Sequence, residues 1–238
     1  MKNLPIKKQR NSIKVGDVFE LGRHRLLCGD AGNPDHLKLL IQNDVIKAII
    51  TDPPYGVAYV ESKEGFYESK SAHVKIANDH LQSETEYKNF SKNWLQSVKP
   101  YLNSKNSLYI FNSDRMLFAL RDGMKEAGYY FSQLLIWIKN QAVIGRMDYL
   151  PQHELVAYGW FGKHEFIRSK DKSLLFSPKP QKSKVHPTMK PVSLLRNLIL
   201  NSSRIGDFIY DPFGGSGSTL IAAEQTRRNC LMVEIETH

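Results

Sequence analysis

An open α/β sheet, mostly parallel and covered by helices on both faces, is the fold class this sequence predicts. Two observations carry that expectation. From about Val18 onward, short apolar runs alternate with segments of helical periodicity, as expected of strands joined by crossover helices. Two of those apolar runs also end directly in turn-forming sequences, Asp52-Pro53-Pro54-Tyr55 and Asp211-Pro212-Phe213-Gly214-Gly215-Ser216-Gly217. Both turns therefore fall at carboxyl ends of strands, where open α/β sheets bind their ligands. The chain has 238 residues, which suits a single domain over 1–238 with a modest insertion.

The elements follow in order. Arg25 to Cys28 reads as a short strand ending at Gly29-Asp30. Asn33-Pro34 opens a helix through Leu37, Leu40 and Ile41, with Asn33 as its cap and Pro34 in its first turn. Val45 to Thr51 is a buried strand. Residues Tyr59 to Lys75 are polar and aperiodic, and are expected to form a mobile loop. Ser83 and Glu86 have capping-box spacing, and Tyr87, Phe90, Trp94 and Val98 recur at helical spacing until Pro100. Those aromatics are assigned to the core. Ser107 to Phe111 is a strand, Asp114 to Ala127 a helix closed by Gly128, and Phe131 to Ile138 a strand. From 140 to 186 the pattern weakens, and the segment reads as a short insertion. Lys190-Pro191 begins a helix through Leu194, Leu195, Leu198 and Ile199. The strand Phe208 to Tyr210 leads into the glycine-rich turn, a helix to about Thr226, and a last strand from Leu231 to Ile235.

Composition narrows the class of partner. The net charge is +9, and residues 163–190 hold eight Lys or Arg against Glu165 and Asp171. That +6 in one aperiodic stretch favours contact with a polyanion, although a charge run is often only a solvated face. Cys28 and Cys230 are too few for a disulfide framework or a zinc site, so two reduced thiols and no metal are expected. No apolar run approaches the length of a membrane span. Met1 to Lys14 is basic without an apolar centre, unlike a signal peptide, and a cytoplasmic location is expected.

The two turns carry the chemistry. In Asp211 to Thr219 three glycines let the backbone approach a ligand. The spacing is neither the dinucleotide fingerprint nor a P-loop, so an uncharged or zwitterionic ligand suits it. Glu234, at the end of the next strand, is placed to take ribose hydroxyls. In Asp52-Pro53-Pro54-Tyr55 the prolines fix the backbone and hold a carbonyl outward. The Asp52 carboxylate and the Pro53 carbonyl form a pair of acceptors suited to an NH2 group. Tyr55 adds a flat ring on which an extruded base can stack. Each turn alone also has a plain structural reading as a tight connection.

With these residues in view, the chain resembles the amino-group DNA methyltransferases. Asp52-Pro53-Pro54-Tyr55 is similar to their catalytic motif, and Asp211 to Gly217 is similar to their S-adenosylmethionine motif. The order, catalytic motif first, resembles the β group, a circular permutation of the Rossmann-like methyltransferase sheet. His186-Pro187-Thr188-Met189-Lys190-Pro191 and Gly29-Asp30 resemble further segments of that group. The resemblance covers about Gly16 to Glu234. It implies catalytic roles for Asp52, Pro53, Pro54 and Tyr55. It implies cofactor contacts for Asp30, Ala31, Thr188, Lys190, Asp211, Phe213, Gly215, Ser216, Gly217 and Glu234, with Asp30 at the adenine and Lys190 as counter-ion to the cofactor's carboxylate. Trp137, Lys139 and Asn140 open the stretch where the family places target recognition, and Asn78-Asp79 is family-like without an assigned role. Between Asn140 and His186 that stretch is short. Family members usually continue past the strand that holds Glu234.

The implied activity is direct methyl transfer from S-adenosylmethionine to N6 of adenine in double-stranded DNA, on a base flipped out of the duplex. The alternatives are N4 of cytosine, an RNA or protein amide, and an inactive DNA-binding subunit. Asp at the first motif position leans towards adenine, since Ser is commoner in the cytosine enzymes. A bacterial or phage source, a homodimer and a partner restriction endonuclease are also implied.

Overall fold

The computed structural model describes residues 12–54, 83–142, 148–168, 171–178 and 189–236. Among these lie ten strands and five α-helices. In order they are β1 (Val18–Leu21), β2 (His24–Cys28), α1 (Pro34–Ile41), β3 (Ile46–Thr51), α2 (Glu84–Val98), β4 (Leu102–Asn112), α3 (Leu117–Glu126), β5 (Tyr130–Ile138), β6 (His153–Trp160), β7 (Lys163–His164), β8 (Leu174–Phe176), α4 (Val192–Ser202), β9 (Phe208–Asp211), α5 (Ser218–Gln225) and β10 (Asn229–Glu234).

The sheet runs β1-β2-β10-β9-β3-β4-β6-β5-β8, with β7 pairing to β4 alone. Its centre, from β2 through β10, β9 and β3 to β4, is parallel. β1 closes one side antiparallel to β2. On the other side β6 is antiparallel to both β4 and β5, and β8 runs parallel to β5.

Alternation along the strands divides the core into two layers. Ile49, Leu108, Ile110, Tyr210, Leu231 and Val233 meet α1, α2 and α3 on one face. Ala48, Ile50, Tyr109, Phe111, Ile209, Cys230 and Met232 meet α4 and α5 on the other. The helices are set by the signals in their sequences. Asn33 accepts from the Asp35 N–H ahead of Pro34, and Ser83 and Glu86 complete a reciprocal capping box. Tyr87 and Trp94 are fully buried, as the helical spacing predicts, and truncating Trp94 to alanine would cost about 3–5 kcal/mol. Asp114 to Met116 form a 3-10 turn rather than the first turn of α3.

The largest departure from the sequence reading lies in 140–186. The stretch read as an insertion contributes β6, an eight-residue strand paired on both sides, to β4 and to β5. Its pattern is obscured at Gly159, where a Cβ would collide with the Tyr130 carbonyl, so a glycine interrupts the apolar run.

One topological fact positions the site. β9 and β3 are neighbours, and the chain leaves them in opposite directions, through α5 to β10 and by way of α2 to β4. α2 and α5 lie on opposite faces. The crevice of an open α/β sheet forms at such a switch point.

Candidate functional site

Both motifs flank that switch point. Ile49 pairs with Tyr210 across β3 and β9, so the strands end side by side. The Thr51 hydroxyl donates to Asp211 Oδ1 at 2.8 Å, and the Phe213 N–H reaches the same oxygen at 3.2 Å. Burial pushes the Asp211 carboxyl up to about 7. Bonds from Thr219, Thr51 and Phe213 oppose the rise, and the nearby charge of Asp52 adds to it. Two sequence segments 160 residues apart are thus joined by one buried hydrogen bond.

On the β9 side the site is built from backbone. The Gly214 N–H donates to the Val233 carbonyl at 2.8 Å, and a Cβ at Gly214 would overlap the Met232 side chain. Gly215 and Gly217 take φ of 47° and 72°, the left-handed region that glycine enters at little cost. The Gly215 N–H donates to Glu234 Oε2 at 2.6 Å, and the Ser216 and Ser218 hydroxyls share a 2.7 Å bond. Phe213 packs against Phe90 at 5.5 Å and edge-on to Trp94 at 5.7 Å, so α2 buttresses the turn. The Gly29 N–H donates to the Glu234 carbonyl, which brings Asp30 to the same edge. Asp30 Oδ1 accepts from the Gly32 N–H at 2.8 Å.

On the β3 side the site is built from charge. The Lys190 ammonium pairs with Asp52 Oδ2 and stands 3.1 Å from Glu154 Oε2. Lys139 holds the other oxygen of Glu154 at 2.7 Å. These groups come from the end of β3, the segment before α4, the start of β6 and the residue after β5. Lys190 and Lys139 are both buried, and the Lys190 ammonium lies 5.2 Å from the centre of the Phe111 ring. Burial alone would lower the pKa of Lys190. Asp52 and Glu154 overcome that and hold it above the ordinary lysine range. Burial likewise acts to raise Glu154, but Lys190 and Lys139 bring it below the usual carboxylate value. The Trp137 indole donates to the Ser177 carbonyl at 2.8 Å, which ties β5 to the end of β8 at this edge.

The structure thus gathers Asp30, Asp52, Asp211, Phe213, Gly215, Ser216, Gly217 and Glu234 along the carboxyl ends of β2, β10, β9 and β3. Ala31 is buried in the core cluster that also holds Leu37. Lys190 pairs with Asp52 and Glu154. The two described ends of the basic run, Lys163 and Lys190, lie at opposite edges of the sheet. Lys163 and His164 pair with Lys105 and Asn106 at the amino end of β4, the edge opposite Asp52, because β7 follows the turn after β6. Tyr55, Thr188, the 59–75 loop, Asn78-Asp79, His186 and Lys170, Lys179, Lys182 and Lys184 lie outside the described residues. Glu154 was missed: its only signal is a carboxylate at the mouth of an apolar run. Among the described residues there is no metal-binding cluster, and no helix is long and apolar enough to cross a membrane.

Comparison with known proteins identifies the family. Residues 46–238 match the family model for N6/N4 DNA methylases. The type II methyltransferase M.HpaI of Haemophilus parainfluenzae is 26% identical over 89% of this chain and 70% of its own length. M.HinfI of Haemophilus influenzae is 26% identical over 82% of this chain and 61% of its own length. The crystal structure of the M1.HpyAVI–SAM complex superposes with a TM-score of 0.63 at 25% identity, covering 89% of this chain and 93% of that one. The cytosine-N4-specific PvuII DNA methyltransferase shares the fold, with a TM-score of 0.67 at 16% identity over 89% of this chain and 81% of that one. A site built on the switch point of this sheet, joined to a family match over most of the chain, leads to one conclusion: the protein is a member of the N6/N4 DNA methylase family.

Proposed function

We propose that the chain transfers a methyl group from S-adenosylmethionine to N6 of adenine in DNA, on a base turned out of the duplex. The observation that carries this reading is the adjacency of Asp52 and the glycine-rich turn, stitched by the Thr51–Asp211 bond. A methyl donor and an amino acceptor must meet within bonding reach, and neighbouring strand ends supply that proximity.

The residues present fit the cofactor. The cradle at Gly214 and Gly215 admits no side chain without collision or backbone strain, which suits close approach of a ligand to the main chain. Glu234 and Asp30 offer carboxylate acceptors to hydroxyl and amino donors, and Phe213 offers an aromatic wall. The turn contains no cation to clamp a phosphate. When bound, S-adenosylmethionine supplies a methyl carbon on a sulfonium sulfur, which keeps the electron pair of the broken bond.

The chain's own residues do the rest. Adenine's amino lone pair is delocalised into the ring. Asp52 and the Pro53 carbonyl accept both amino protons, which favours a pyramidal nitrogen with its lone pair available. As positive charge grows on nitrogen, the Asp52 carboxylate stabilises it, an interaction stronger in the transition state than before it. The departing amino proton passes to Asp52 or to water. Asp52 at the head of the motif supports adenine over cytosine.

The test is transfer of labelled methyl to unmethylated genomic DNA, followed by nucleoside analysis, with Asp52→Ala as control. N6-methyladenine from wild type alone supports the reading. N4-methylcytosine would overturn the choice of base, and no transfer would overturn the activity.

A further inference from the structure

Lys139, Glu154, Lys190 and Asp52 form a chain of alternating charge at the carboxyl edge of the sheet. Counter-ion duty towards a cofactor would require Lys190 alone, and Glu154 and Lys139 would then be an expensive excess of buried charge. Asp52, if it accepts the target amino group as proposed above, faces two opposed demands. Before transfer, a nearby ammonium keeps its carboxylate ionised. During transfer, the same ammonium repels the positive charge growing on the target nitrogen. A second carboxylate that holds and neutralises the ammonium satisfies both demands.

We infer that Glu154, backed by Lys139, is a positioning residue for methyl transfer: it shares the Lys190 ammonium with Asp52 and retains it while the target amino group engages Asp52. Glu154 stands 3.1 Å from Lys190 on one oxygen and 2.7 Å from Lys139 on the other. The groups facing the cluster are consistent with this division. Phe111 of β4 floors Lys190 with an apolar ring, and Trp137 of β5 lies 5.2 Å from the Lys139 ammonium. Asp211 of β9 also lies near Asp52, and burial holds its carboxyl well above the usual carboxylate range. His153, next to Glu154, turns to Asp114 at 3.6 Å and not to Lys190. The elevated pKa of Lys190 fits an ammonium gripped from both sides.

The inference rests on the role proposed for Asp52, so it is tested with and without turnover. In methyl-transfer kinetics, Glu154→Gln is expected to lower kcat tenfold or more, with cofactor Kd and the KM for DNA within twofold of wild type. Glu154→Asp is expected to recover most of the loss. A wild-type kcat in Glu154→Gln, or a matching collapse of cofactor affinity, overturns the inference. The second measurement is a stability cycle over Asp52→Asn, Glu154→Gln and the double variant by urea unfolding. If the two carboxylates share one ammonium, their effects are non-additive, since the second loss strands a buried charge. Additive changes overturn the inference. Absence of methyl transfer by wild type counts against the functional reading and leaves this cycle as the deciding measurement.

Discussion

The two sides of the switch point are built from different materials. On the β2-β10-β9 side, glycine dihedrals and main-chain N–H bonds shape the crevice, and the Gly214–Gly217 turn is four consecutive residues. On the β3-β4-β6-β5 side, side-chain charges from positions 52, 139, 154 and 190 converge. A backbone-built site is written as a local string, because dihedral demands select particular residues at particular positions. A charge-built site is written as scattered residues whose types are common everywhere on a protein surface.

Four experiments would break or sharpen that contrast. Asp52→Ala should abolish methyl transfer, by a factor on the order of a thousand, while cofactor titration stays near wild type. Loss of cofactor binding in the same variant would erase the division between the halves.

The seam itself should respond to pH. Asp211 has a folded pKa near 7, raised above the ordinary carboxylate value by burial, with three hydrogen bonds opposing. Its stabilisation is fully present below the unfolded pKa and is lost as pH rises through the folded one. The unfolding free energy from urea titrations should therefore fall between about pH 4 and pH 7, by at most about 4 kcal/mol. Asp211→Asn should flatten that slope, and an unchanged slope would assign it to other groups.

On the backbone side, Gly214→Ala places a methyl in the Met232 side chain and 3.2 Å from the Val233 carbonyl. A loss of about 1–3 kcal/mol in stability and weaker cofactor binding are expected, with kcat at saturating cofactor nearly kept. Parallel losses in kcat and cofactor affinity would show that the halves are not separable.

The smallest effect belongs to the opposite edge. Arg204, and then Lys47, hold the Glu165 carboxyl down at about 2. That stability is present above the unfolded glutamate pKa and lost as pH falls towards 2. Because Arg204 is exposed, Arg204→Ala should barely move the urea midpoint near neutral pH and leave transfer unchanged.

The same contrast explains what could be read in advance. The strand ends at Thr51 and Asp211, the capping box at Ser83 and the core aromatics of α2 were legible, because each is a local pattern with a local cause. β6 was not. Its pairing to β4 and β5 is long-range, and Gly159 is present because the Tyr130 backbone comes too close for a side chain. Lys190 was legible as a site residue, but its partners were not. Glu154 reaches it only because β6 lies antiparallel beside β4, with its first residues at the carboxyl edge. Lys163 opened the basic run in one dimension, and the turn after β6 carries it to the edge opposite Lys190.

The neighbour relation of β3 and β9 also bears on how the chain is made. β3 ends at Thr51, and the strand that completes its other flank begins at Phe208. During synthesis β3 can pair with β4 early, yet its second edge waits for about 160 further residues to leave the ribosome. Closing so wide a loop carries an entropic cost that only late contacts repay, which favours slow folding and a long-lived open edge. Nascent chains stopped before β9 should therefore be the species that chaperones hold and that aggregate when released.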